Sequence, residues 1–115
     1  MSIIEYSVSE AVGATEHSLT TDSAYSSGTL KTDEGVMQAH LDLSDMAGTD
    51  ELQVTVYGKV QAGGAVMIHS RSNPNGPQSE IFATPSIIVK HGWEVAVKAI
   101  TGTITVNGSV RVAPL

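Results

Sequence analysis

Residues 35–60 read GVMQAHLDL, then SDMAGTDE, then LQVTVYGKV. Met37, Ala39, Leu41 and Leu43 alternate with Val36, Gln38, His40 and Asp42. Leu52, Val54, Val56 and Val60 alternate in the same way with Gln53, Thr55, Tyr57 and Lys59. A period of two over two runs predicts two β-strands, each with an apolar face and a solvated face. Residues 44–51 between them are too few for a helix in a β setting, and a hairpin connection is expected there.

Strand signals continue on the C-terminal side. Gly63-Gly64 marks a turn, a strand is expected over 65–70, and SNPNGPQ at 72–78 is a loop. A short strand is expected at 81–83. Ile87, Ile88 and Val89 are consecutive apolar residues, which predicts a strand covered on both faces. Over 93–100, Trp93, Val95, Val97 and Ala99 share one face, and Glu94, Ala96, Lys98 and Ile100 the other. Asn107-Gly108 predicts a closing hairpin with a three-residue loop at 106–108. That register pairs Ile104 with Val110 and puts Gly108 in a left-handed bulge position.

The N-terminal side is poorer in apolar residues. A first short strand is expected at 3–8. Residues 9–33 are mostly Ser, Thr, Gly and Ala, which bury little surface against an ordering cost of about 1–2 kcal/mol per residue. This predicts an N-terminal strand or extended arm over 1–31, with one strand near 17–21, and a β-sandwich domain over 32–115. The fold expected is all-β, a small antiparallel β-sandwich or flattened barrel of about eight short strands.

The chain has 115 residues, enough for one domain and one core. It has no cysteine, which excludes disulfides and thiolate chemistry. No run approaches the ~20 apolar residues of a membrane helix. The start, MSIIEY, lacks the basic region and long apolar run of a secretory signal, so a cytoplasmic product is expected. The net charge of −6 argues against a nucleic-acid footprint. It is also unevenly spread. Residues 1–51 hold ten carboxylates and one lysine, for −9, and residues 52–115 hold two carboxylates and five Lys or Arg, for +3. Ordinary solvated surface accounts for this; so does a bipolar subunit whose acidic end meets a neighbour's basic end.

Motifs that carry chemistry are sparse. His17, His40, His69 and His91 share no metal-ligand spacing. His40 and Asp42 stand two apart on a strand and can share a face, but a solvated pair explains them equally. There is no G-x-S-x-G elbow, phosphate loop or dinucleotide fingerprint. Glu94 beside Trp93 has no partner carboxylate at a definable separation. No enzyme activity, cofactor or metal is expected. Trp93 is either a core or interface anchor or a sugar-stacking platform. Candidate interface residues are Ile3, Ile4 and Tyr6 in the N-terminal segment, together with Tyr57 and Trp93.

Three blocks, DEGVMQAHLDLSDMAGTDELQVTVYGKV, TPSIIVKHGWEVAVKAITGT and VNGSVRVAPL, resemble a group of small proteins encoded in the structural gene clusters of tailed bacteriophages. The matching positions are Asp33, Gly35, Val36, Gln38, Asp42, Leu43 and Ser44, then Glu51, Leu52, Val54, Tyr57, Lys59, Val60, Gly63 and Gly64, then Pro85, Ser86, Ile88, His91, Gly92 and Trp93. The chain departs at Glu34, inserted before the glycine, and at Ala62, where the group has Ser. The resemblance covers about residues 30–112 and implies a virion structural protein, with head decoration (cement) the favoured role. The implied partners are the major capsid protein and further copies of the chain, with no nucleic acid and no membrane. The implied location is the virion head surface after synthesis in the host cytoplasm. A tail or connector component, or a glycan- or host-binding β module, is the alternative.

Overall fold

A computed structural model describes residues 2–114. The strands are β1 (Ile4–Val12), β2 (His17–Ser18), β3 (Ser23–Ala24), β4 (Gly35–Asp42), β5 (Leu52–Gly58), β6 (Met67–Ser72), β7 (Phe82–Ala83), β8 (Ile87–Val89), β9 (Trp93–Ala99) and β10 (Ile104–Pro114). A single 3-10 turn at Ser27–Thr29 is capped by the Ser26 side chain. Two antiparallel sheets pack face to face as a β-sandwich. One has the order β1-β10-β4, with β7 and β8 both pairing with β4. The other has the order β3-β2-β9-β5-β6.

The alternating runs place their apolar faces as expected. Met37, Ala39 and Leu41 of β4 and Leu52, Val54 and Val56 of β5 are buried between the sheets. Trp93, Val95, Val97 and Ala99 of β9 meet Ile104, Val106, Val110 and Val112 of β10 in the same core. Each Val, Leu, Ile or Met among them contributes about 1.5–3 kcal/mol when fully buried. Val60 departs from the pattern. It is 81% exposed, because β5 ends at Gly58 and the chain leaves the sheet before reaching it.

The expected hairpin at Asn107-Gly108 is absent. Both residues lie inside β10, a strand of 11 residues that runs unbroken between β1 and β4. Gly108 faces Val8 on one side and Leu41 on the other. The reason lies in the packing. Ile104, Val106, Val110 and Val112 keep one inward phase, and Gly108 holds that phase without a side chain. A Cβ there would stand 2.4 Å from Leu41 Cδ2. The glycine is a point of close approach inside a strand, not a turn residue. Gly35 plays a similar part at the far end of the ladder, where a Cβ would meet the Ala113 carbonyl oxygen at 2.3 Å.

The connection over 44–51 is also not a hairpin. It carries the chain from β4 in one sheet to β5 in the other, with Leu43 and Met46 buried beneath it. Turns close at Met46 N–H to Leu43 O (3.3 Å) and Asp50 N–H to Ala47 O (3.0 Å).

Residues 4–24, expected as an N-terminal strand or extended arm with a further strand near 17–21, contribute strands to both sheets. β1 pairs with β10 from Ile4↔Val112 to Val12↔Ile104, and β2 pairs with β9. Val8, Val12 and Leu19 are buried. Few apolar side chains are needed here, because ladder hydrogen bonds and Ser18 do part of the ordering. Ser18 Oγ accepts from the Thr20 and Thr21 amides. The same segment meets β9 at Glu94 and Ala96, which are buried rather than solvated; Thr55, also buried, accepts from Arg71 Nε of β6. β8 is covered on one face only, with Ile87 and Val89 buried and Ile88 72% exposed.

Two outcomes follow from this architecture. Gly108→Ala should lower stability by about 1–3 kcal/mol through overpacking against Leu41. Gly48→Ala, with nothing within 4 Å of its new Cβ, should stay within about 0.5 kcal/mol of the parent. Urea denaturation reads both, and equal stability of the two variants would mean that Leu41 yields to the added methyl group and that Gly108 is no point of tight packing. Deleting residues 1–12 removes β1 and uncovers the β10 ladder, so the shortened chain should lose its cooperative unfolding transition. A truncated chain that melts cooperatively near the parent temperature would make the segment an appendage.

Candidate functional site

Trp93 opens β9 and is 1% exposed. Its Nε1–H donates to the Asp33 carbonyl oxygen at 2.9 Å. The Tyr6 ring meets it edge-on, with centroids 6.5 Å apart. A buried indole with its N–H satisfied is a core anchor, and it offers no stacking surface to a sugar or a partner. Tyr6 donates its hydroxyl to the Asp33 carboxylate, and Lys31 Nζ lies 4.7 Å from the centroid of its ring. Burial, then the Asp33 carboxylate, push the Tyr6 hydroxyl up to about 12. Ile4 packs half-buried against the core beside these residues. Ile3 is 64% exposed. The fold therefore brings Tyr6 and Trp93 together, and it leaves Ile3 as the free apolar side chain at the outer end of β1.

Tyr57 lies apart, on the outer face of the second sheet. Its ring stacks on Tyr25 at 4.3 Å and 11°. Its hydroxyl donates to the Glu16 carboxylate, with both oxygens at 2.8 Å. Burial and that hydrogen bond push the Tyr57 hydroxyl up to about 12, and burial also raises Tyr25. Nearby, Glu94 is a fully buried carboxylate. Thr20 Oγ1 donates to it at 2.8 and 2.7 Å, and the Val95 amide donates at 2.8 Å. Burial pushes its carboxyl above the ordinary range, while the Thr20 and Val95 donors, Ser18 and the Lys31 charge pull the other way. With its oxygens occupied from within the chain, Glu94 fastens residues 18–20 to β9.

His40 and Asp42 do not form a pair. His40 Nε2 is 2.8 Å from Gln38 Oε1, and Asp42 accepts from the Ser44 hydroxyl and amide. The Ser44 donors hold the Asp42 carboxyl below its usual range. Among the described residues, Glu10, His17 and Asp22 come closest to a metal-ligand set, with donor atoms within 4.8 Å of one another. His17 Nε2 is already 2.8 Å from Asp22 Oδ1, so a cation there must displace that contact.

The feature that sequence reasoning missed is a groove along one edge of the sandwich. β6 ends the second sheet, and β8 lies at the neighbouring end of the first. Between them, Val60, Met67, Ile68 and Ile88 line an open groove with Lys59 and His69. Its inner continuation reaches Lys90. No carboxylate lines either part. The signal was present as Met67-Ile68 and as Ile87-Ile88-Val89. Adjacent residues of a strand point to opposite faces, so consecutive apolar residues leave at least one outside wherever only one face is covered.

No protein-family model, curated protein or solved structure matches the chain.

The tyrosine hydroxyls give this region a defined alkaline response. Folded Tyr6 and Tyr57 lose their protons near 12, while the unfolded residues do so near 10. The folded state holds these protons more tightly, so stability should be level below 10 and fall as pH rises from 10 toward 12. Urea midpoints at about pH 9 and about pH 11.5 read the drop. Tyr6→Phe with Tyr57→Phe should flatten most of it. An unchanged drop in the double variant would assign it to other groups.

Proposed function

We propose that the chain is a non-enzymatic structural protein of a tailed-bacteriophage virion, a decoration (cement) protein on the outer surface of the head. The setting rests on the resemblance of residues 30–112 to small phage structural proteins. The observation that carries a binding role is the open groove at one edge of the sandwich, where Val60, Met67, Ile68 and Ile88 are exposed together. Exposed apolar surface of this kind, rimmed by polar groups, marks contact sites. The occupant on the particle is the major capsid protein, and neighbouring copies of the chain lie beside it.

The physical task is to add interface area between capsid subunits against the outward pressure of packaged DNA. A β-sandwich suits it, because its strands are already ordered and little ordering remains on binding. The net charge of −6 disfavours adventitious contact with nucleic acid. Burial of Trp93 weighs against a glycan-binding module built on that ring. A tail or connector location would use the same surface and differ in copy number.

Quantitative mass spectrometry of purified particles should find this chain in numbers comparable to the capsid subunit; a handful of copies per particle would move it to the tail or connector. Met67→Asp and Ile88→Asp change exposed side chains, so the melting temperature should hold. Binding to undecorated heads should fall about tenfold or more, the loss expected of a central apolar contact. Full binding by both variants would remove the groove from the particle interface.

A further inference from the structure

The edge at β6 is open in its backbone as well as in its side chains. β6 ends the second sheet, with β5 on one side and no strand on the other. None of its six residues is buried, so both of its faces are open along with its edge. A strand in this position presents unpaired donors and acceptors along its free side. Its surroundings are cationic, in a chain whose net charge is −6. Lys59 and His69 line the groove beside β6, and Lys90 lies at its inner end. Arg71 stands on the strand itself, with its Nε 3.0 Å from Thr55 Oγ1. The side-chain ion pairs among the described residues are His17–Asp22 and Glu5–Arg111, and Lys59, Arg71 and Lys90 take part in neither. The carboxylates of Glu16 and Glu51 are held elsewhere, by Tyr57 and Asn73.

We propose that β6 receives an extended acidic segment of the partner polypeptide, which adds to the second sheet as a further strand and sets its carboxylates against Lys59 and Lys90. Its assignment to the capsid protein rests on the particle reading of the groove given above. The free edge selects a polypeptide in extended form, since a neighbouring strand satisfies the main-chain groups of β6 one after another. The unpartnered cations select carboxylates, and opposite charges steer the encounter and fix the register. The exposed Met67 and Ile88 select apolar side chains at alternate positions of the same segment, because alternate residues of a strand share a face. The same cations keep the edge from pairing with itself. A twofold contact of β6 with β6 would set Lys59 and Arg71 against their own copies, and like charges brought together oppose such a contact. The register shift against β5 between Val56 and Tyr57 divides β6, and the groove lies along its 67–69 half, where the added strand pairs.

The test uses the purified full chain and a capped peptide of three Val-Glu repeats, titrated to millimolar concentration and followed by amide NMR. Shifts should gather on β6 and β8. At saturation the β6 amides that do not bond to β5 should exchange about tenfold more slowly or better, as amides of a paired strand do. Raising the salt should weaken binding, and Lys59→Gln with Lys90→Gln should weaken it about tenfold. A peptide of three Val-Lys repeats should not bind. Absence of shifts with the Val-Glu peptide overturns the proposal, and so does equal binding of the Val-Lys peptide or equal binding by the double variant. Shifts without slowed exchange in β6 overturn strand addition. Capture of the chain by phosphatidylglycerol vesicles, with no response to the peptide, would give the cationic edge to a membrane and overturn it as well. The same exchange measurement on the chain bound to undecorated heads separates this contact from the particle reading. Head binding that Met67→Asp abolishes, with the β6 amides exchanging freely, keeps the groove as the particle contact and overturns strand addition. A chain that takes the peptide and ignores heads keeps strand addition and overturns the particle reading.

Discussion

The backbone ladder of β10 is the constraint on which the rest of the structure depends. This strand of 11 residues has long antiparallel partners on both sides, β1 and β4. It joins the beginning, middle and end of the chain in one sheet. The approach is possible because Gly108 leaves room for Leu41, whose side chain fills the space a Cβ would take. Once β10 is seated, Ile104, Val106, Val110 and Val112 complete the floor of the core against β5 and β9. The edges of both sheets are then set, and with them the surfaces left for partners.

Legibility in the sequence followed the burial of each strand. β4, β5 and β9 were readable because one face of each is apolar at a strict period of two, and those faces are the core. Asn107-Gly108 misled because the dipeptide favours a two-residue turn locally, while the inward phase of Ile104 to Val112 runs straight through it. That phase was the better signal, and it was present in the sequence. The N-terminal segment, whose strands at 3–8 and near 17–21 were expected, showed less of its order in the sequence for another reason. Its order comes from ladder hydrogen bonds, from the Ser18 side chain and from the Thr20–Glu94 contact, none of which leaves an apolar pattern. The crossover after Asp42 could not be told from a hairpin by length, since both need only a few residues. Glu94 looked solvated because Thr20, which covers it, lies 74 positions away in the chain.

The candidate surface was legible in part. Ile3, Ile4 and Tyr6 were singled out for their place near the N-terminus, and of these Ile3 stands free while Tyr6 is fixed to Asp33. Trp93 was read as a core or interface anchor or a sugar-stacking platform, and it is a core residue. The groove residues Met67, Ile68 and Ile88 were visible as consecutive apolar pairs and became informative once one face of each strand was known. The interior has no similar excess. Among the described residues, every buried side-chain nitrogen and oxygen has a hydrogen-bond partner. The apolar side chains left exposed at that edge stand in contrast to this satisfied interior.

The most direct test of the central claim is native-state amide hydrogen exchange along β10. If the strand is continuous and held on both sides, the Asn107 and Gly108 amides should exchange as slowly as those of Val106 and Val110, at the rate of global unfolding. Fast exchange confined to Asn107 and Gly108, with protection on either side, would reveal a turn at that point and contradict the account.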